Sequence, residues 1–296
     1  MLSEKTKKVR ILYISLSVLV VLYLLSFVKS GNGRNKKFEI KTALINPSNI
    51  ESVTEINIFN SKENVLLVKS GNFWTVKNKN SQLSLPVSSA KMKNMTNNLI
   101  SIRSLYKLSD SYTQNNSFGL SDSDTVHLKY LYSQGFHELL FGNYDFSQKY
   151  RYLMTDKNTT VYEVNSALDS FLSTSINNWA ELFLISQEVL GKIETTDIQT
   201  AVLYSDNIPL TINDIDKLLE LRHGGLPEET NFNNPESKLI IEIGNKNKIE
   251  MQFYKTTDLS GYTVKADYYN YSVNSTQTFY TKITNWTYNK IKEITL

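Results

Sequence analysis

The stretch SVTEINIF (residues 52–59) begins the sheet-forming part of this chain. Its polar and apolar side chains alternate so that its two isoleucines lie on one face, which is typical of a half-buried β-strand. Two more strand-like runs, Val65–Lys69 and Phe73–Lys77, flank the turn signal Ser70-Gly71-Asn72. The sequence therefore predicts a strand followed by a β-hairpin.

Over residues 87–106 the apolar residues change to helical spacing. Intervals of three and four residues place five of them on one face of a predicted helix. These are Met92, Met95, Leu99, Ile102 and Tyr106. Strand-like segments return over residues 125–164, separated by Gly135 and Gly142. This order of strands, helix and strands predicts an α+β module.

The second half of the chain repeats this order, with helical spacing over Thr211–His223 and strand-like segments over residues 238–273. In both halves V-N-S is followed by Phe and then by I-x-N-W. The two series run from Val164 to Trp179 and from Val273 to Trp286. We therefore predict an internal duplication, with a first α+β module at residues 51–188 and a second at residues 189–296. Each is expected to be a mostly antiparallel sheet with one longer and one short helix.

The two tryptophans that end these series, Trp179 and Trp286, allow two interpretations. Each follows a predicted short helix and would bury a large apolar area against its sheet. Stacking on a sugar ring is the functional alternative. We predict core packing for both.

The N-terminal run Ile11–Val28 contains no charged residue and is flanked by lysines and arginines. As a helix it is just long enough to cross the hydrocarbon core of a bilayer. A cleavable signal peptide is disfavoured because no A-x-A-like cleavage site follows. A buried core helix is disfavoured because apolar residues cover every face. We therefore predict an uncleaved transmembrane anchor at residues 11–28, between a cytoplasmic tail at 1–10 and a linker at 29–50.

The anchor would place the protein in the bacterial inner membrane as a single-pass protein. Basic residues favour the cytoplasmic side of a membrane, but they are nearly balanced around this run. A short N-terminal tail is easily kept inside while the rest is exported. The bulk of the chain is therefore predicted to be extracytoplasmic.

Composition excludes several classes of partner. The formal net charge is only +3, and no concentrated basic stripe of the kind that nucleic-acid-binding proteins carry is present, so no nucleic acid is expected. The chain has no cysteine, which excludes disulfides and thiolate chemistry.

No catalytic signature occurs in the chain. Its histidines, His127, His137 and His223, have no partners at metal-ligand spacing, and His223 is expected to be a cation in the last turn of its helix. No G-x-S-x-G, S-x-x-K or P-loop motif is present. We predict no enzymatic activity, no cofactor and no metal. A catalytic acid–base pair formed by residues far apart in the sequence is the alternative that the motifs do not address.

A tyrosine cluster is the candidate interaction surface. It consists of Tyr262, Tyr268, Tyr269 and Tyr271. Tyrosine rings on an exposed strand can form a binding face because the ring is amphipathic. Tyrosine is also a common strand residue, which is the simpler interpretation.

Six motifs along the first module match a known pattern. They are SVTEINI at residues 52–58, Phe73-Trp74-Thr75-Val76, Phe118-Gly119-Leu120, Leu139-Leu140-Phe141-Gly142, Arg151-Tyr152-Leu153 and Val161-Tyr162-Glu163-Val164. The chain resembles the bacterial domain-of-unknown-function family numbered 4340. The resemblance implies an N-terminal anchor with one or two such modules, often encoded beside gliding-motility-type ABC transporter components. It assigns no catalytic residue.

The function expected from these observations is that of a non-enzymatic, membrane-anchored accessory or scaffold protein with an extracytoplasmic ectodomain. The expected partners are the membrane, crossed by a single span, and ABC transporter subunits or other envelope proteins. The alternative is an envelope ligand-binding module for a polysaccharide or a peptide.

Overall fold

The computed structural model describes residues 13–23, 38–111, 118–121, 123–133, 135–155, 158–228, 234–244 and 247–295. Within these ranges the chain forms two antiparallel β-sheets, one of ten strands and one of six. Short helices pack on each sheet. The strands of the first sheet come from residues 39–165 and those of the second from residues 198–284.

The first sheet has the strand order β1-β6-β10-β9-β8-β7-β2-β3-β4-β5. Its strands are β1 (Glu39–Thr42), β2 (Glu55–Phe59), β3 (Asn64–Ser70), β4 (Phe73–Asn78), β5 (Leu85–Pro86), β6 (Arg103–Ser109), β7 (Val126–Tyr132), β8 (Gly135–Tyr144), β9 (Tyr150–Thr155) and β10 (Asn158–Asn165). The hairpin predicted around Gly71 is confirmed as β3–β4. Strand β1 lies in the segment that we assigned to the linker, where it pairs with β6.

The second sheet has the strand order β12-β11-β13-β14-β15-β16. Its strands are β11 (Ile198–Ser205), β12 (Ile208–Thr211), β13 (Ser237–Ile243), β14 (Asn247–Lys255), β15 (Gly261–Asn270) and β16 (Ser275–Thr284).

The α-helices are α1 (residues 13–23), α2 (Ser89–Ile100), α3 (Ile176–Trp179), α4 (Ile215–Glu220) and α5 (Asn285–Glu293). Single 3₁₀ turns occur at Pro47–Ser52, Ser166–Phe171 and Thr195–Asp197. The helix predicted over residues 87–106 ends earlier than expected, because the chain leaves Ile100 to form strand β6 between β1 and β10. Ile102, predicted to share the helix face, is exposed.

Each sheet buries one face in its own core. In the first, Ile56 and Ile58 of the SVTEINIF stretch are fully buried, and Met92, Met95 and Leu99 of α2 pack against them. In the second, alternate residues of β13, β14 and β15 pack against α5. They include Leu239, Ile249, Met251, Phe253 and Val264. The period-two and period-3.6 patterns in the sequence therefore identify the core faces.

The two sheets share a strand path. In each, a hairpin is followed by a helix and then by a four-stranded meander. The first strand of the meander pairs with the first strand of the hairpin. The hairpin is β2–β3 in the first sheet and β11–β12 in the second, and the meanders are β7–β10 and β13–β16. Strands β1, β4, β5 and β6 are additional to this path in the first sheet.

The repeated V-N-S motif does not follow this shared path. Asn165 ends β10 and caps the 3₁₀ turn Ser166–Phe171, whereas Asn274 lies in the turn between β15 and β16. In the shared path the position of Asn165 corresponds to Thr284, which ends β16 and caps α5. The motif match is therefore offset by one strand from the structural match.

The predicted fold class, α+β with an N-terminal transmembrane helix before the two modules, is wrong. The described chain is mostly antiparallel sheet, and none of its helices is long and apolar enough to cross a membrane. The tail at 1–10, residues 11–12 and 24–28 of the predicted anchor and residues 29–37 of the linker lie outside the described residues.

A continuous set of backbone contacts joins the two sheets. Val87, beside β5, bridges to Ala180, and Phe183 bridges to Arg222. The Lys282 N–H of β16 then donates to the carbonyl oxygen of Gly225 at 2.9 Å. The segments around residues 180–184 and 221–225 therefore connect an edge of one sheet to an edge of the other.

Candidate functional site

The four tyrosines of the predicted interaction surface do not share one face. Tyr262 and Tyr268 lie on the core side of β15 and are buried. Tyr269 lies on the opposite side, and Tyr271 is exposed in the turn that follows. The rings of Tyr269 and Tyr271 stack with centroids 6.3 Å apart. Successive side chains of a β-strand point to opposite faces. Tyr262 and Tyr268 are an even number of residues apart and therefore share a face, whereas Tyr269 lies on the other face.

The two buried tyrosines have structural partners. The Tyr262 hydroxyl donates to the carboxylate of Glu236 at 3.1 Å, and the Tyr268 hydroxyl accepts from the Ser186 N–H at 2.9 Å. Burial raises the pKa of both hydroxyls, so they stay protonated. These two residues stabilise the second sheet and its connection to the first.

The outer face of the second sheet carries a set of polar and aromatic side chains, which we name the lysine–tyrosine face; all are partly exposed except two buried carboxylates. It consists of Lys238, Lys248, Glu250, Gln252, Tyr254, Lys265, Asp267, Tyr269 and Tyr280. These residues alternate along their strands with the buried residues of the core. A core on one side of an antiparallel sheet leaves the other side for polar contacts.

Strand register places these side chains in rows across the sheet. Lys238 lies opposite Gln252, Gln252 opposite Lys265, and Lys265 opposite Tyr280. In the neighbouring row Glu250 lies directly opposite Asp267. Directly opposed side chains on one face are about 4.5–5.5 Å apart at Cβ, so neighbours in a row lie within reach of one another.

Ion pairs fix the middle of the face. Glu250, 9% exposed, accepts from Lys238 at 2.7 Å and from Lys248 at 3.1 Å. Asp267, 5% exposed, accepts from Lys265 at 2.9 Å and from the Thr278 hydroxyl at 2.5 Å. Nearly buried carboxylates with several charge-assisted donors are held more firmly than exposed surface pairs.

These contacts also set the charge state of the face. Burial raises the pKa of Glu250, but the hydrogen bonds from Lys238 and Lys248 outweigh it and hold the pKa below its ordinary value. The hydrogen bond to Asp267 raises the pKa of Lys265. Glu250 therefore stays ionised near neutral pH, which suits a fixed charge and not a general acid.

Tyrosine rings extend the face on both sides of the ion pairs. The Tyr254 hydroxyl donates to Oε1 of Gln252 at 2.5 Å. The Nζ atom of Lys248 lies 5.2 Å from the centre of the Tyr269 ring, within cation–π range. The face thus combines flat aromatic surface with charges in fixed positions, an arrangement suited to binding a partner molecule.

Within the described residues, no group of three or more acidic or histidine side chains could hold a metal ion. His127 contacts Glu138 through Nδ1 at 2.5 Å, and His137 contacts the Tyr132 hydroxyl at 3.0 Å. The expectation that His223 is a cation in the last turn of a helix is wrong. Helix α4 ends at Glu220, and His223 is buried beyond it, where desolvation lowers its pKa to about 4.

Sequence reasoning missed most of the lysine–tyrosine face. Lys238, Glu250, Lys265 and Asp267 lie within segments that the sequence identified as strands. Their alternation with apolar residues indicates an outward face. Only strand register shows that they meet, because the pairing of four strands brings together residues far apart in the chain.

A sequence model of the family described as "Domain of unknown function (DUF4340)" matches residues 74–259, well over half of the chain, which confirms the resemblance found in the motifs. No curated protein matches the chain. No solved structure matches it either.

Proposed function

The chain belongs to the DUF4340 family, and we propose that it is a non-enzymatic accessory protein that docks a partner protein on the lysine–tyrosine face. The observation that carries the proposal is the fixed arrangement of Glu250 and Asp267 with three lysines on an outward sheet face. Side chains already held in place lose little conformational entropy on binding, so their contacts contribute more to affinity.

The tyrosines support a protein partner. Tyrosine is enriched at protein interfaces because its ring buries apolar area while its hydroxyl forms hydrogen bonds. Tyr254, Tyr269 and Tyr280 lie around the ion pairs in this way. The partner class that the family resemblance implies is an ABC-type transporter subunit or another envelope protein.

The proposal includes a location at the bacterial cell envelope, with the two sheets outside the cytoplasm. Its support is helix α1, in which apolar side chains such as Ile14, Leu19 and Leu22 are exposed. Exposed apolar surface of this kind favours contact with lipid or with another protein. Cell fractionation tests the location, and recovery of the full-length chain in the cytoplasmic fraction would contradict it.

Affinity purification of the full chain in mild detergent tests the docking face. We expect permease or ATPase subunits to co-purify in stoichiometric amounts with the unmodified chain. Tyr269→Ser combined with Tyr280→Ser should remove them. Phe146→Ser is the matched control, because Phe146 is an exposed aromatic residue in the turn between β8 and β9, away from this face.

Two results would contradict the proposal. One is a partner set that survives the double tyrosine variant unchanged. The other is purification of the unmodified chain as a lone monomer under the same conditions.

A further inference from the structure

A second candidate site lies between the two sheets and is separate from the lysine–tyrosine face. It is a cleft of about 550 Å³, within the range of roughly 300–1,000 Å³ that small-ligand sites occupy. Its walls are the β2–β3 and β4–β5 turns, residues 174–177 and part of β16. Clefts between structural units are preferred positions for ligands.

The cleft contains polar side chains whose hydrogen-bonding capacity the protein does not use. Among the described residues, the side chains of Asn64, Asn78, Asn80 and Asn177 have no hydrogen-bond partner, and neither has that of Lys79. The Oδ1 atom of Asn64 is also buried. A buried acceptor without a donor is costly, and such groups call for an explanation.

Lysines outnumber acids among the residues that line the cleft. Lys62, Lys79 and Lys282 line it against a single acid, Glu63, whose carboxylate accepts a hydrogen bond from the Thr174 hydroxyl. Lys62 pairs with Asp124 at 3.1 Å and Lys282 with Glu228 at 3.4 Å, and both acids lie outside the lining residues. Lys79 has no ion-pair partner in the part of the chain that the structure describes.

The wall between the sheets is held closely. The Gly224 N–H donates to the Lys282 carbonyl oxygen at 2.7 Å, and Gly225 has a positive φ of 104°. A Cβ atom at Gly225 would lie 2.5 Å from Oδ1 of Asn177. The Asn177 amide therefore lies directly against the backbone of Gly225.

We propose that this cleft binds an acidic oligosaccharide. A side-chain amide presents a donor and an acceptor next to each other, which matches neighbouring sugar hydroxyls, and Lys79 supplies a charge for a carboxylate or phosphate group. The described lining contains no aromatic ring or deep apolar pocket for the side chains of a peptide. This inference is independent of protein docking on the lysine–tyrosine face.

Isothermal titration calorimetry of the full chain tests the site with four probes. Trigalacturonic acid carries carboxylates, glucose 6-phosphate carries phosphate, maltotriose is neutral and triglutamate is an anion without sugar hydroxyls. At least one acidic sugar should bind about tenfold more tightly than maltotriose, since one charge-assisted hydrogen bond is worth about that factor. Which of the two binds identifies the acidic group, and triglutamate should not bind.

Two variants locate the binding. Lys79→Gln should weaken binding of the acidic sugar by about tenfold, whereas Lys93→Gln, at an exposed lysine on α2 outside the cleft, should leave it unchanged. Asn64→Ala should weaken binding without lowering the melting temperature, because no protein group pairs with that Oδ1.

Three outcomes would overturn the inference. They are binding of neither acidic sugar, equal affinity for triglutamate, and unchanged affinity in the Lys79→Gln variant.

Discussion

Trp179 and Trp286 show how different the environments of matching residues can be. Both end an I-x-N-W motif, yet Trp179 is 2% exposed and Trp286 is 66% exposed. The indole N–H of Trp179 donates to the carbonyl oxygen of Ser173 at 2.8 Å, and its ring lies in the core of the first sheet. Trp286 lies in the first turn of α5. The prediction of core packing is confirmed for Trp179 and wrong for Trp286.

Replacing each tryptophan by alanine should therefore give unequal results. Trp179→Ala leaves a cavity in the core and should lower the free energy of unfolding by about 3–5 kcal/mol. Trp286→Ala removes an exposed ring and should change it by less than about 0.5 kcal/mol. Urea unfolding followed by far-UV circular dichroism measures both values. Equal losses in the two variants would contradict the burial difference.

At the scale of elements, the motif Leu139-Leu140-Phe141-Gly142 ends in a close backbone contact. The Asn143 N–H, next to Gly142 in β8, donates to the carbonyl oxygen of Phe118 at 2.8 Å. A Cβ atom at Gly142 would lie only 2.2 Å from that same oxygen. The Phe118-Gly119-Leu120 and Gly142 motifs are thus two sides of one contact.

Gly142→Ala should destabilise the first sheet because two backbone segments would have to move apart. We expect a loss of about 1–3 kcal/mol, the usual cost of overpacking. Gly224→Ala is the matched control, since the nearest atoms to its Cβ would be 3.6 Å away, at ordinary contact distance. Thermal unfolding of both variants measures the difference. The prediction fails if the Gly142 variant has the same melting temperature as the Gly224 variant.

At the scale of the whole molecule, His223 lies where the two sheets are joined. Its Nε2 donates to the carbonyl oxygen of Glu181 at 2.9 Å, and its Nδ1 accepts from the Gly225 N–H at 3.0 Å. These partners require the neutral ring, because a proton on Nδ1 would face the N–H of Gly225. Desolvation lowers the pKa of His223 to about 4 accordingly.

Stability should therefore fall on acidification. The folded state binds fewer protons at His223 than the unfolded state, so its contribution is complete above the ordinary pKa of 6.5 and is lost as pH falls towards 4. The loss should be on the order of 3 kcal/mol. Burial raises the pKa of nearby Glu181, so the contribution of Glu181 to stability increases on acidification. This offsets part of the loss at His223.

Urea unfolding between pH 7 and pH 4 measures this dependence. His223→Gln should be less stable than the unmodified chain at pH 7, and the difference between the two should shrink as the pH falls. A constant difference over that range would show that His223 does not titrate as its surroundings require.

Local pattern accounted for much of the first sheet. Ile56 and Ile58 alternate with polar neighbours, and Met92, Met95 and Leu99 recur at helical spacing, so both core faces could be assigned from adjacent residues. The end of helix α2 could not be predicted in this way, because pairing of β6 with β1 and β10 competes with helical spacing beyond Ile100. Such pairing joins segments far apart in sequence.

The sequence by itself determined the family, the core-facing residues of several strands and the absence of cysteine chemistry, because these depend on residue identity and short-range periodicity. Only the tertiary structure decided which polar residues meet on the lysine–tyrosine face, that Tyr262 and Tyr268 are buried, and that Trp286 is not. The physical reason is that strand register and packing between sheets are collective. They depend on which distant segments pair, and a motif read along one segment does not contain that information.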